Sequence, residues 1–136
     1  MATNAGYTAK VERDWVIPQG ADTTNPFRYG TKASGSDPVV YPALATDGWS
    51  AKAQIRSAVG GDIWVTFDST DLSGPRIELD DDGYVRVILP HDTTEVESWN
   101  AYNFGYYDVE LTTDTGAKIR LARGTVTVDH DVTREV

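Results

Sequence analysis

Cysteine is absent from the 136 residues, which excludes disulfides and thiolate metal sites. Histidine occurs twice and methionine once. Long apolar runs are missing too, so neither a membrane-spanning helix nor a secretory signal is expected. Cations are scarce, with 12 Lys and Arg against 21 Asp and Glu for a net charge of −9. Nucleic-acid binding relies on clustered cations that neutralise phosphates. Here the cations are spread singly, which argues against it. Internal repeats and linkers are lacking as well, which leaves one domain with enough chain for a full core.

What is present is aromatic and β-branched residues in alternating patterns. Four Trp, seven Tyr and three Phe supply large apolar area. Tyr106–Leu111, the polar turn 112–117 and Lys118–Val128 read as a long antiparallel hairpin, with apolar side chains at every second position. Tyr107, Val109, Leu111, Ile119 and Leu121 fall on one face, but Val126 and Val128 have the opposite parity. A strand cannot keep one face on the core through such a change, and the spacing predicts a β-bulge or break at Arg123-Gly124.

The remaining chain reads as further short strands. Arg13–Ile17 and Phe27–Thr31 are predicted strands, with turn chemistry at 18–20 and over Ala21–Pro26. Val39–Leu44 is apolar but interrupted by Pro42 and preceded by Pro38, so it is an edge strand or a packed loop. Trp49–Arg56 alternates with Trp49, Ala51, Ala53 and Ile55 inward. In Asp62–Asp68, Ile63, Val65 and Phe67 share the core face, and Trp64 faces outward or under a loop. Arg76–Asp80 and Tyr84–Leu89 flank Asp81-Asp82-Gly83, a strong hairpin signal. One short helical turn is predicted near 93–99, stabilised by an Asp or Thr cap and an early glutamate. The expected fold is all-β: a single immunoglobulin-like antiparallel β-sandwich of about seven or eight strands over residues 13–136. Residues 1–12 are expected to form a flexible arm, and the charged tail from Asp129 to fray.

Catalytic and metal chemistry find little support. In Asp80-Asp81-Asp82-Gly83 the closing ligand of a calcium loop would fall at Leu89, and a solvated hairpin tip is the expectation. His91-Asp92 and His130-Asp131 are sequence neighbours, which point to opposite faces on a strand and do not form dyads. No G-x-S-x-G elbow occurs, and two separated histidines do not make a zinc site. No catalytic residue, metal or cofactor is therefore expected. The candidate site is an interface. Tyr102, Phe104 and Tyr106 share one strand parity, and Trp64 is opposite in parity to its core-facing neighbours. Exposed Tyr and Trp bury area while keeping a polar handle. Tyr107 is assigned to the core as a tyrosine corner.

A resemblance adds to this reading. The order Trp15-Val16-Ile17-Pro18-Gln19-Gly20, then Trp49–Arg56, the hairpin at Asp81-Asp82-Gly83, Tyr107–Leu111, Gly124–Val128 and Asp131-Val132-Thr133-Arg134 resembles small β-sandwich virion proteins of tailed phages of actinobacteria. It is also similar in layout to the immunoglobulin-like N-terminal domain of phage upper baseplate proteins. The resemblance implies a structural virion subunit, assembled in the host cytoplasm. Its place would be the tail tip, baseplate or tail-fibre attachment region, and it would act through contacts with other virion proteins rather than with nucleic acid or membrane. It implies a homo-oligomer or many copies per particle. Two rival expectations are a capsid decoration protein and a carbohydrate-binding module used in host recognition.

Overall fold

A computed structural model describes residues 11–130. The described residues form an all-β sandwich of two sheets. The strands are β1 (Val11–Glu12), β2 (Trp15–Pro18), β3 (Thr23–Arg28), β4 (Ser50–Arg56), β5 (Ile63–Asp68), β6 (Arg76–Leu79), β7 (Tyr84–Leu89), β8 (Phe104–Thr112) and β9 (Lys118–Asp129). The larger sheet runs β1-β9-β8-β4-β5, with β2 also on β9, and the smaller runs β3-β7-β6. β1 and β2 lie parallel to β9, whereas the other pairs are antiparallel. This is the immunoglobulin-like arrangement, with a three-stranded sheet facing a sheet built on the last hairpin.

Alternation places the core as expected. Ala51, Ala53, Ile55, Val65, Phe67, Tyr107, Val109 and Leu111 are buried from the larger sheet, against Phe27, Ile77, Val85, Val87 and Leu89 from the smaller. Trp15 lies between them, edge-on to Tyr107 at 5.7 Å and tilted on Phe67 at 6.1 Å. Each fully buried Leu, Ile, Val or Phe contributes about 1.5–3 kcal/mol.

The parity change in β9 is real, but it lies earlier than expected. Val109 pairs with Ala122 and Glu110 with Arg120, so Leu121 is the extra residue of a β-bulge. Leu121 and Ala122 are consecutive and both fully buried. A bulge of this kind needs no positive φ, so it does not require glycine. Gly124 serves another end. A Cβ there would run into the Arg13 carbonyl and press on the Tyr107 ring, and only glycine lets β9 approach the chain between β1 and β2.

Five further expectations are corrected. The segment Ala21–Pro26 is not all turn: β3 begins at Thr23 and ends at Arg28, so Tyr29 to Thr31 fall outside it. Pro26 is tolerated because β3 has a neighbour, β7, on one side only. The single helical turn is two pieces, α1 (His91–Thr94) and a 3₁₀ turn (Glu97–Ala101) separated by Glu95-Val96. Pro90, in extended conformation, precedes α1. Ile63 does not face the core: β4 and β5 slip register between Ile55 and Arg56, leaving Trp64 as the extra residue and pairing Ile63 with Arg56. Of the tail expected to fray, residues 131–136 lie outside the described residues, and Asp129 and His130 are held by partners. Asp129 closes β9 and pairs with Pro18, and the His130 ring lies 2.6 Å from Gln19 Oε1 and 3.0 Å from Asn103 Oδ1. Of the expected arm, residues 1–10 lie outside the described residues, and Val11-Glu12 pair with Ala122 and Arg123.

Gly124→Ala is expected to destabilise the domain by about 2–3 kcal/mol, because the new methyl displaces a backbone carbonyl. Urea denaturation monitored by tryptophan fluorescence measures it. A change below about 0.5 kcal/mol would show that the approach to Arg13 does not constrain the fold.

Candidate functional site

The four candidate residues fall into two groups. β8 exposes Phe104 and Tyr106 on the outer face of the larger sheet and buries Gly105 and Tyr107 on the inner face. Phe104 and Tyr106 are 51% and 38% exposed, and their rings meet edge to face at 5.4 Å. Trp64 and Tyr102 instead stack on each other, 4.3 Å apart and nearly parallel. The buried Trp99 packs edge-on to both. The bulge at Trp64 turns its ring over the end of the sandwich, where Gly105 leaves room: a Cβ there would touch the indole. Tyr102, whose N–H bonds to Trp99 as the 3₁₀ turn ends, precedes β8 and does not share its outer face. Strand parity cannot report such a break, because Asn103 separates turn from strand.

The same bulge brings a residue that parity hid. Ile63, 47% exposed, pairs with Arg56, which pairs with Tyr106. Val16, 61% exposed, pairs with Thr127, which pairs with Phe104. Val16, Ile63, Phe104 and Tyr106 thus occupy adjoining rows at one end of the outer face. The only sequence signal for Val16 was its parity between the inward Trp15 and Ile17.

Beside Tyr106 a groove of about 590 Å³ is bounded by Glu12 and Asp14 on one side and Ala58-Val59-Gly60 on the other. Its polar groups are mostly held. The Arg123 guanidinium forks onto Glu12 Oε2 at 2.9 and 3.1 Å. Asp14 accepts from the Thr125 hydroxyl at 2.7 Å. Arg56 donates to Gln54 Oε1 and the Gly61 carbonyl. Beyond the groove, Lys118 faces Glu110 at 3.7 Å and Lys52 faces Asp68 at 3.9 Å. Exposed pairs like these are each worth about 0–1 kcal/mol.

Tyr107 is core, as expected, but it is not a tyrosine corner. Its hydroxyl donates to the Arg13 carbonyl at 2.6 Å, 94 residues away, rather than to nearby upstream backbone. Burial raises its phenol pKa above the ordinary value. Arg13 reaches the smaller sheet, donating to the Pro26 carbonyl at 2.6 Å and Asn25 Oδ1 at 3.0 Å, with its guanidinium over Phe27.

The histidines and the acidic run are engaged in hydrogen bonds within the domain. His91 Nδ1 lies 2.6 Å from Glu95 Oε2, and that hydrogen bond raises the imidazole pKa. His130 meets two side-chain amides. Asp80 accepts from the Asp82 and Tyr84 N–H groups and the Arg86 guanidinium. Burial pushes its carboxyl up, but the Arg86 and backbone bonds outweigh this, leaving it below the ordinary 3.8. Asp81 is lowered mainly by bonds from the Thr46 hydroxyl and N–H. No group of three or more metal-ligating side chains converges among the described residues.

No known family matches the sequence, and no curated protein does. Among solved structures the chain is similar to the titin domains Z1Z2 in complex with telethonin, at 16% identity and a TM-score of 0.44. That match covers 96% of this chain and 51% of the titin chain. The chain is also similar to extracellular domains 3–5 of Drosophila OTK, at 15% identity and a TM-score of 0.33, over 85% of this chain and 32% of that one. It therefore spans about half the length of the titin chain it matches. These likenesses are too distant to argue from, and the fold assignment rests on the sheet topology.

Two predictions follow from this geometry. Trp64→Ala is expected to cost about 3–4 kcal/mol, as for a packed aromatic, and Phe104→Ala less than about 1 kcal/mol. Thermal melts of the two variants separate the end cluster from the exposed pair, and equal costs would refute the division. Asp80 has a lowered pKa in the folded state. Its contribution is therefore full above the unfolded value near 3.8 and is lost as pH falls through the folded value. Asp80→Asn should flatten the loss of stability on acidification below about pH 4; an unchanged acid limb in urea melts would count against the Asp80–Arg86 pair.

Proposed function

We propose that this chain is a non-enzymatic assembly domain that joins neighbouring proteins through the outer face of its larger sheet. The observation that carries this reading is the exposed pair Phe104 and Tyr106, in contact on the outer face, with Val16 exposed beyond Thr127 on one side and Ile63 beyond Arg56 on the other. The inner face of the same sheet has already buried its own apolar residues, so nothing in the sandwich core requires these four to be apolar. Partly exposed aromatics with aliphatic neighbours and a charged surround fit an interface with a few anchor residues and a polar rim. The sequence resemblance supports the setting: a structural subunit of a tailed-phage particle, at the tail tip, baseplate or fibre attachment region. Repeated copies would turn modest contacts into firm attachment through effective concentration. The rigid sandwich would hold the anchors in place, so little ordering cost falls on association.

Mass spectrometry of purified virions should find the chain at a stoichiometry matching tail symmetry. Phe104→Glu is expected to leave the thermal melt within about 1 kcal/mol of wild type while the protein drops out of the particles. Absence of the wild-type chain from purified virions, or normal incorporation of Phe104→Glu, would overturn the reading.

A further inference from the structure

The chain carries a net charge of −9, but one of its faces does not share that excess. From the row of Phe104 to the row of Thr112, the outer face of the larger sheet carries the cations Lys52, Arg56, Lys118, Arg120 and Arg123. Against them stand the anions Glu12, Asp14, Asp68, Asp108 and Glu110. The face is charge-balanced on a chain of net charge −9. It also holds the exposed Phe104 and Tyr106.

The order of the charges matters more than their number. Register places Arg120 beside Glu110, Glu110 beside Lys52, and Lys52 beside Asp68. Across β9, β8, β4 and β5 the row therefore reads plus, minus, plus, minus. Such a row is its own complement under a two-fold rotation about an axis that runs along the strands between β8 and β4. Glu110 then faces Lys52 of the second copy, and Arg120 faces its Asp68. Two rows along, Tyr106 and Arg56 are likewise neighbours on β8 and β4. The same rotation lays the Tyr106 ring on the guanidinium of the second copy's Arg56, a cation–π contact. In the adjoining row Phe104 comes over the β4–β5 loop of the second copy, where Val59 is 90% exposed. The groove bounded by Ala58-Val59-Gly60 lies beside Tyr106, where the second copy's side chains enter. Aligned packing of two twisted sheets turns the strands by about 30° without disturbing this correspondence near the axis.

We propose that the chain pairs with a second copy of itself through this face, in an isologous dimer. The inference rests on the reading of the face as an interface and names the partner. Because every contact occurs twice, a single charge reversal places two like-charge pairs in the interface, whereas a reciprocal exchange restores both.

The test is sedimentation equilibrium of the full chain with Glu110→Lys, Lys52→Glu and the double exchange, each checked by circular dichroism for an intact fold. Wild type is expected to be a dimer at about 50 µM, each single reversal to raise Kd about tenfold or more, and the double exchange to return it near the wild-type value. A wild-type chain that stays monomeric at about 200 µM would overturn the proposal. So would a double exchange as weak as either single variant. The outcomes separate this proposal from the wider reading. A monomer whose Phe104→Glu variant still fails to enter particles removes self-pairing and keeps the assembly role. A dimer whose Phe104→Glu variant enters particles normally keeps self-pairing and removes the assembly role.

Discussion

The bond from the Tyr107 hydroxyl to the Arg13 carbonyl is the constraint on which the arrangement of the larger sheet depends. It fixes the short connection between β1 and β2, so that both strands can lie parallel to β9 on one edge. Arg13 then reaches across to Asn25 and Pro26 of β3, tying that edge to the smaller sheet. Gly124 completes the join by leaving no Cβ where the carbonyl sits. One phenol, one arginine and one glycine thereby position an edge of the sandwich that would otherwise rest on two short strands. Burial raises the phenol pKa above its ordinary value, which favours the protonated form that donates this bond.

The two β-bulges do most to shape the outer face. At Leu121 the bulge keeps β9 on the core through a change of parity, and it sets Arg120 beside Glu110 and Arg123 beside Asp108. At Trp64 it turns an indole over the end of the sandwich and releases Ile63 to the outer surface. One extra residue in a strand exchanges the faces of everything beyond it. The first insertion brings Arg120 into the row of Glu110, Lys52 and Asp68, and the second brings Ile63 to the outer face beside the row of Tyr106.

The polar end of the molecule follows a different rule. Gln19 is buried where β2 ends, and its amide donates to the Thr94 carbonyl and Asn100 while its oxygen meets His130. A buried amide is costly unless its groups are satisfied. Here it gathers the β2–β3 turn, the helical crossover and the end of β9. The histidine that neighbours an aspartate in sequence is thus used for fastening, and its partners come from segments 111 and 27 residues away.

The sequence alone determined the fold class, the main strands and most of the core, because alternation with period two is a local property that burial enforces residue by residue. The Asp-Gly hairpin, the β4 pattern and the last hairpin were all legible for that reason. It determined that β9 must change parity, since Leu121 and Val126 cannot otherwise share a core. Where the extra residue sits depended on the partner strand, and register is a relation between strands rather than a property of one. Tertiary structure likewise decided the candidate site. Phe104 and Tyr106 lie together on the outer face, as their shared parity implies, but Tyr102 and Trp64 close the end of the sandwich because a turn and a bulge intervene. Val16 and Ile63 join the aromatic pair only through cross-strand neighbours distant in the chain. A pattern read along one strand determines which way a side chain points; only the pairing of strands determines what stands next to it.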